Sequence, residues 1–234
     1  MSIPPDISRV IDRGSTGRMA GGWLISTAVI SALMVWARIA SETDHPTLAG
    51  TLEGISHNPG FYGLAGVARL VSGLTLVAAA WCLAKTWIIR QRLGSPLVAW
   101  LLGMSGGCTA ISGLASLWLA MTVPLFLPVA SGPEVSAFFE TALSVRELSG
   151  KTGFALAGLA LIVASRSQWK VGGTLRQVSP GSAILGTTMQ FIWVDSATPV
   201  HPVVGAVFFL WLLVVGTMLV TGRHPDDMAT VHRT

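Results

Sequence analysis

The chain has 234 residues, 51% of them hydrophobic and only 11% charged, and its mean hydropathy is +0.64. Soluble domains carry about 25% charged residues, so a single soluble domain and a disordered chain are both excluded. Two cysteines exclude a disulfide scaffold, and the net charge of +4 calls for no nucleic-acid partner, because basic residues at a membrane face already attract anionic lipid. What remains is an all-α polytopic membrane protein, with the lipid bilayer as its first partner.

A helix needs about 20 apolar residues to cross a bilayer, and six runs meet or approach that. The first covers about 19–39, with Arg18 before it and Arg38 at its far end. It is too long for a signal peptide, and no small-residue cleavage site follows. The second, about 61–84, holds one charge, Arg69. The third is about 97–123. The fourth is about 145–164, and residues 134–148 read either as its lead-in or as a separate outer interfacial helix. The fifth, about 181–194, is short and contains Gln190. The sixth is about 203–221. Residues 1–18 and 222–234 are the tails. Asn58-Pro59, Ser95-Pro96 and Ser179-Pro180 each place a capping side chain before a proline, which marks a helix start. Pro124 and Pro128 are expected to close the third span.

The loops separate by charge. Of 15 basic residues, 11 lie in the two tails and after the second and fourth spans; of 11 acids, seven lie in the remaining loops. The positive-inside rule then puts both termini in the cytoplasm of a bacterial inner membrane, and an even number of spans agrees.

Helices in lipid associate by close backbone approach at small residues. Gly103 and Gly107 form such a pair in the third span, Gly113 belongs to a second row, and Gly153 serves the fourth. Gly66 and Gly73, seven apart, share a face of the second. The third span has small residues on nearly every side and is therefore expected to be the least lipid-exposed helix. Nine Trp stand against one Tyr; several lie at span ends, where an indole bridges lipid and headgroup.

Several catalytic motifs are missing: there is no Walker loop, HExxH or CxxC. No cofactor is implied, although an aromatic cage for a quinone or pigment stays open. All five histidines fall outside the spans, which disfavours a b-type haem. His57 and His201 lie near two helix starts on the outer side; with His45, Asp44 or Asp195 they could ligate a metal, but capping of helix ends is the plainer reading.

Arg69 is the most informative residue, because a charge at bilayer depth must face the bundle or reach back to the interface. Glu147 is the expected partner, with Glu140 and Asp195 as alternatives. Lys151 is four residues from Glu147 on one helix face, and Arg38 adds a positive charge at a similar level. In one reading an acid neutralises Arg69 and the pair pins helices. In the other, Arg38, Arg69 and Lys151 line an outward cavity for an anion.

The second span, GLAGVARLVSGLTLVAAAWCLAK, and the last, FFLWLLVVGTMLVTGR, resemble a bacterial family of small integral membrane proteins of unknown function. The resemblance implies no activity and assigns no site residue. The leading functional reading is a non-enzymatic structural or accessory subunit with protein partners in a larger membrane complex. The second is a small carrier or binding protein for an anionic or amphipathic solute. A membrane redox or quinone-binding subunit comes last.

Overall fold

Proline stands at the start of several of the helices. In the computed structural model, α3 (Pro59–Ala84), α4 (Pro96–Phe126) and α5 (Pro133–Val171) all start on one, where its missing N–H is one of the amides a helix start leaves unbonded anyway. The remaining helices are α1 (Pro5–Ala40), α2 (Leu48–His57), α6 (Gly173–Thr188) and α7 (Val200–Thr221), and a 3₁₀ turn, Met189–Trp193, extends α6. The structure describes residues 5–43, 45, 47–86, 89, 94–126, 133–193 and 200–221, and among these all regular structure is helical. Among the described residues five helices are long and apolar enough to cross a membrane: α1 from Thr16, α3, α4, α5 from Ala137, and α7 from Val203.

Several local expectations change. Residues 134–148 form no separate helix but the first part of an uninterrupted α5. The extra short helix lies elsewhere, at α2, where the Thr47 hydroxyl accepts from the Gly50 amide at 3.2 Å and Leu52 and Ile55 are buried. The α6 helix begins at Gly173, well before residue 181, so Pro180 sits inside it. Ser179 does not cap that helix; its hydroxyl donates to the Ser165 carbonyl of α5 at 2.8 Å. Pro124 likewise lies within the last turn of α4, which runs on to Phe126.

The long helices pack as antiparallel neighbours around a ring. Going round, α1 meets α3, α3 meets α4, α4 meets α5, α5 meets α6, α6 meets α7, and α7 returns to α1. The helices α3 and α4 approach backbone to backbone. A Cβ on Gly73 would lie 2.5 Å from the Gly106 carbonyl oxygen and 2.6 Å from the Ala110 amide. Two turns away Gly66 and Gly113 repeat the crossing, so the spacing of seven on each helix sets the contact. Gly158 with Gly186 joins α5 to α6 in the same way, and Gly21 with Gly216 joins α1 to α7.

This corrects part of the packing expectation. Gly103 meets only the Ala80 Cβ, at 3.7 Å, and a Cβ at Gly107 would meet nothing within 4 Å. The face used by α4 is one residue round the helix, at Gly106 and Gly113. Gly153 does pack closely, with its Cβ position 3.0 Å from the Thr109 hydroxyl and 3.1 Å from the Ser105 carbonyl. Nor is α4 the most enclosed helix. The most apolar stretch of α5 is 44% buried against 39% for that of α4, because α5 is flanked by α4, α6 and the 3₁₀ turn.

One core gathers side chains from all six long helices, among them Leu24, Leu76, Leu102, Leu161, Leu185 and Leu212. A second, at the end where α3 begins, joins α2 to α3, α4 and α5 through Ile55, Tyr62, Leu119, Val123 and Phe139. Outward-facing positions are apolar too: Ile39, Trp81, Trp100 and Ile184 are each more than 60% exposed. A water-soluble surface rarely shows so continuous an apolar face, and lipid is its natural solvent.

Candidate functional site: an arginine cluster between four helices

Ten residues beyond Pro59, Arg69 stands about 15 Å along α3. It shares a face with Ser72 and Thr75 at helical spacing, and that face meets α1. There Ser31 and Ser72 are joined hydroxyl to hydroxyl at 2.6 Å, and Thr27 and Thr75 at 2.9 Å. The Arg69 head turns from this seam towards the middle of α4. Its Nη1 donates to the Ser112 hydroxyl at 2.9 Å, and its Nε to the Met34 sulfur of α1 at 3.3 Å. Ser112 is fully buried and in turn donates to the Arg146 carbonyl of α5 at 2.7 Å. One hydroxyl therefore accepts from α3 and donates to α5 while standing on α4. Gly150 leaves space at this junction: a Cβ there would lie 3.3 Å from the Ser112 oxygen and 3.9 Å from Arg69 Nη1.

Nearer the end of the bundle lies Tyr62, the chain's single tyrosine, with 1% exposure. Arg146 Nη1 donates to its hydroxyl at 3.0 Å. The Arg38 guanidinium carbon lies 5.5 Å from the ring centroid and that of Arg146 5.9 Å, so arginines from α1 and α5 both face the ring. Arg38, Arg69 and Arg146 thus converge from three helices, with Tyr62 and Ser112 between them. The turn leaving α1 closes over this end: Ser41 and Thr43 are buried and joined at 3.0 Å, on either side of Glu42 at φ +49°.

Glu147 is placed differently from the expectation. It pairs with Lys151, four residues on along the same helix, at 2.6 Å, and is 57% exposed. Glu147 and Arg146 are adjacent, hence about 100° apart round the helix, and it is Arg146 that turns inward. Lys151 is accordingly engaged on the flank of α5 beside Glu147. Glu140 is exposed, and Asp195 and the His201 side chain lie outside the described residues. The ring of His57 shares a 2.9 Å hydrogen bond with its own helix, at the Glu53 carbonyl. Among the described residues no three His, Cys, Asp or Glu side chains gather as a metal ion would require. Gln190 is a clamp between helices: its Nε2 donates to the Ala155 carbonyl at 3.0 Å and to the Gly186 carbonyl at 3.2 Å.

Arg146, Tyr62, Ser112 and Gly150 were missed by sequence reasoning. Arg146 fell where residues 134–148, read as a lead-in or a separate interfacial helix, overlap the start of the fourth span at about 145, so its depth was not apparent. Tyr62 carried a signal in being the only tyrosine.

No family model, no curated protein and no solved structure matches the chain. The resemblance noted in the second and last spans therefore receives no family assignment.

Proposed function

We propose that the chain is a six-span, non-enzymatic protein of a bacterial inner membrane that binds an anionic or amphipathic solute at the arginine cluster. The observation that carries this reading is the convergence of Arg38, Arg69 and Arg146 on Tyr62 and Ser112. Each charge at bilayer depth costs roughly 2.5–3.5 kcal/mol even on the insertion scale. Their planar guanidinium forks, brought together from three helices, suit a carboxylate or phosphate. The sixth crossing is supplied by α6 with its 3₁₀ turn, 21 residues from Gly173 to Trp193. Their rises add to roughly 34 Å, against a hydrocarbon core of about 30 Å. Both termini then face the cytoplasm, in line with the charge of the loops.

The test is a thermal melt of the detergent-purified protein with inorganic phosphate and with dodecanoate. Binding raises the melting temperature with ligand concentration, and Arg38→Gln should abolish the rise while leaving the ligand-free melt near its original value. If neither anion shifts the melt, the cluster is a pin between helices, and the reading reverts to a structural or accessory subunit of a membrane complex.

A further inference from the structure

The opposite end of the bundle carries a second basic feature, independent of the arginine cluster. From Glu147 to Asp195 the sequence contains no acid, while Arg166, Lys170 and Arg176 fall in the middle of that interval. Arg166 and Lys170 are four apart on α5 and both exposed. Between them Trp169 is 53% exposed, and the Arg176 guanidinium, from the first turns of α6, lies 4.2 Å from its ring centroid. That contact brings the third charge across the α5–α6 turn to the other two. The turn passes through Gly172 at φ +79°, and no side chain caps the start of α6. The first amides of α6 therefore add their partial positive charge at this same end.

The same strip of α5 is apolar further into the bundle. Leu159 is 41% exposed, and Ile162 borders α6, where its side chain faces Gly186. On α6, Ile184 is 69% exposed. Eleven residues separate Leu159 from Lys170, about 17 Å of helix, close to half of a 30 Å hydrocarbon core. The strip thus has an apolar stem of one leaflet's depth and a head of three cations with an indole.

We infer that the α5–α6 turn binds an anionic phospholipid, its phosphate held by Arg166, Lys170 and Arg176 and its chains lying along Leu159 and Ile184. Trp169 holds Arg176 in place by stacking and sits at headgroup level. Each of the three cations adds attraction to an anionic lipid surface, and the Arg176–Trp169 stack, which draws them together across two helices, favours one phosphate position.

Native mass spectrometry of the protein in a non-ionic detergent, with phosphatidylglycerol or phosphatidylcholine of identical chains added, tests this. Phosphatidylglycerol should be retained at a concentration at least about tenfold lower than phosphatidylcholine. Each basic residue at a membrane face is worth about fivefold, so Arg166→Gln, Lys170→Gln and Arg176→Gln combined should weaken that retention by about 100-fold. Lys85→Gln, which removes a cation of the same end on α3, stacked on Trp81, should leave it unchanged. These side chains are exposed, and an unchanged melting temperature verifies the fold of each variant. Equal retention of both lipids, or equal loss on Lys85→Gln, overturns the assignment. So does displacement of the lipid by millimolar inorganic phosphate, which would mean that the site takes the free anion.

Discussion

Arg69 on α3 and Ser112 on α4 are joined by a 2.9 Å hydrogen bond at the middle of α4, and the same serine donates to α5 at 2.7 Å. A hydroxyl has one proton to give and lone pairs to receive with, so this residue is used in both directions at once. It links three helices through a side chain that is fully buried.

Ser112→Ala should therefore be the most damaging of the serine-to-alanine changes in α4. It leaves a guanidinium N–H and a carbonyl without this partner, at about 1–3 kcal/mol for a buried group. Ser116→Ala, whose hydroxyl bonds only back to its own helix at the Ser112 carbonyl, should cost less. Melting temperatures of the two variants in one detergent check the order.

The glycine contacts give a sharper contrast. Gly73→Leu places a side chain against the backbone of α4 and should abolish recovery of folded protein. Gly107→Leu points into open space and should be recovered at near wild-type yield. Size-exclusion profiles of both variants decide between this arrangement and one in which Gly107 lies in the α3–α4 contact.

Tyr62→Phe keeps the ring and removes only the acceptor used by Arg146. A hydrogen bond to a charged donor contributes roughly 1.5–3 kcal/mol, so the variant should melt measurably lower. Its response to dodecanoate should also weaken, because Arg146 is then held less firmly. An unchanged melt and unchanged ligand response would show that the phenol is incidental.

Glu147 bears on how far sequence could reach. Its pairing with Lys151 is exposed, so Glu147→Gln should change stability by no more than about 0.5 kcal/mol. Combined with Arg69→Gln the effects should simply add. A double-mutant cycle with coupling above about 1 kcal/mol would restore the Arg69–Glu147 pair. Sequence reasoning left Arg69 two places, the bundle interior or the interface, because the penalty for a charge at that depth depends on position alone; in the structure its head meets Met34 and Ser112. Its partner depended on the rotation of α5, and neighbouring residues 146 and 147 differ by about 100°. Helix starts at Pro59 and Pro96 were legible for a similar local reason. The start of α6 was not, since Pro180 was tolerated within a helix whose preceding serine bonds across to α5. The seven-residue spacing of Gly66 and Gly73 was legible as a shared face, but its counterpart on α4 required knowing which of that helix's small residues met it.

Orientation has its own test. An alkaline phosphatase fusion at Thr234 should be inactive and a green fluorescent fusion bright, as expected for a cytoplasmic terminus. The reverse pattern would remove the orientation, and an odd number of crossings would then have to be reconsidered.

The ring closes by joining the first long helix to the last. Gly21 can meet Gly216 only after nearly the whole chain has been made, whereas α3 and α4 can meet once residue 126 is in the bilayer. Assembly is then asymmetric in time: the α3–α4 hairpin forms early, and α1 keeps one flank open to lipid until synthesis ends. A chain cut before Val200 would display that flank permanently, leaving a narrow, glycine-floored groove beside Leu24 and Ile25. Small-residue faces are where transmembrane helices pack, so truncation here would create a sticky surface as well as removing one.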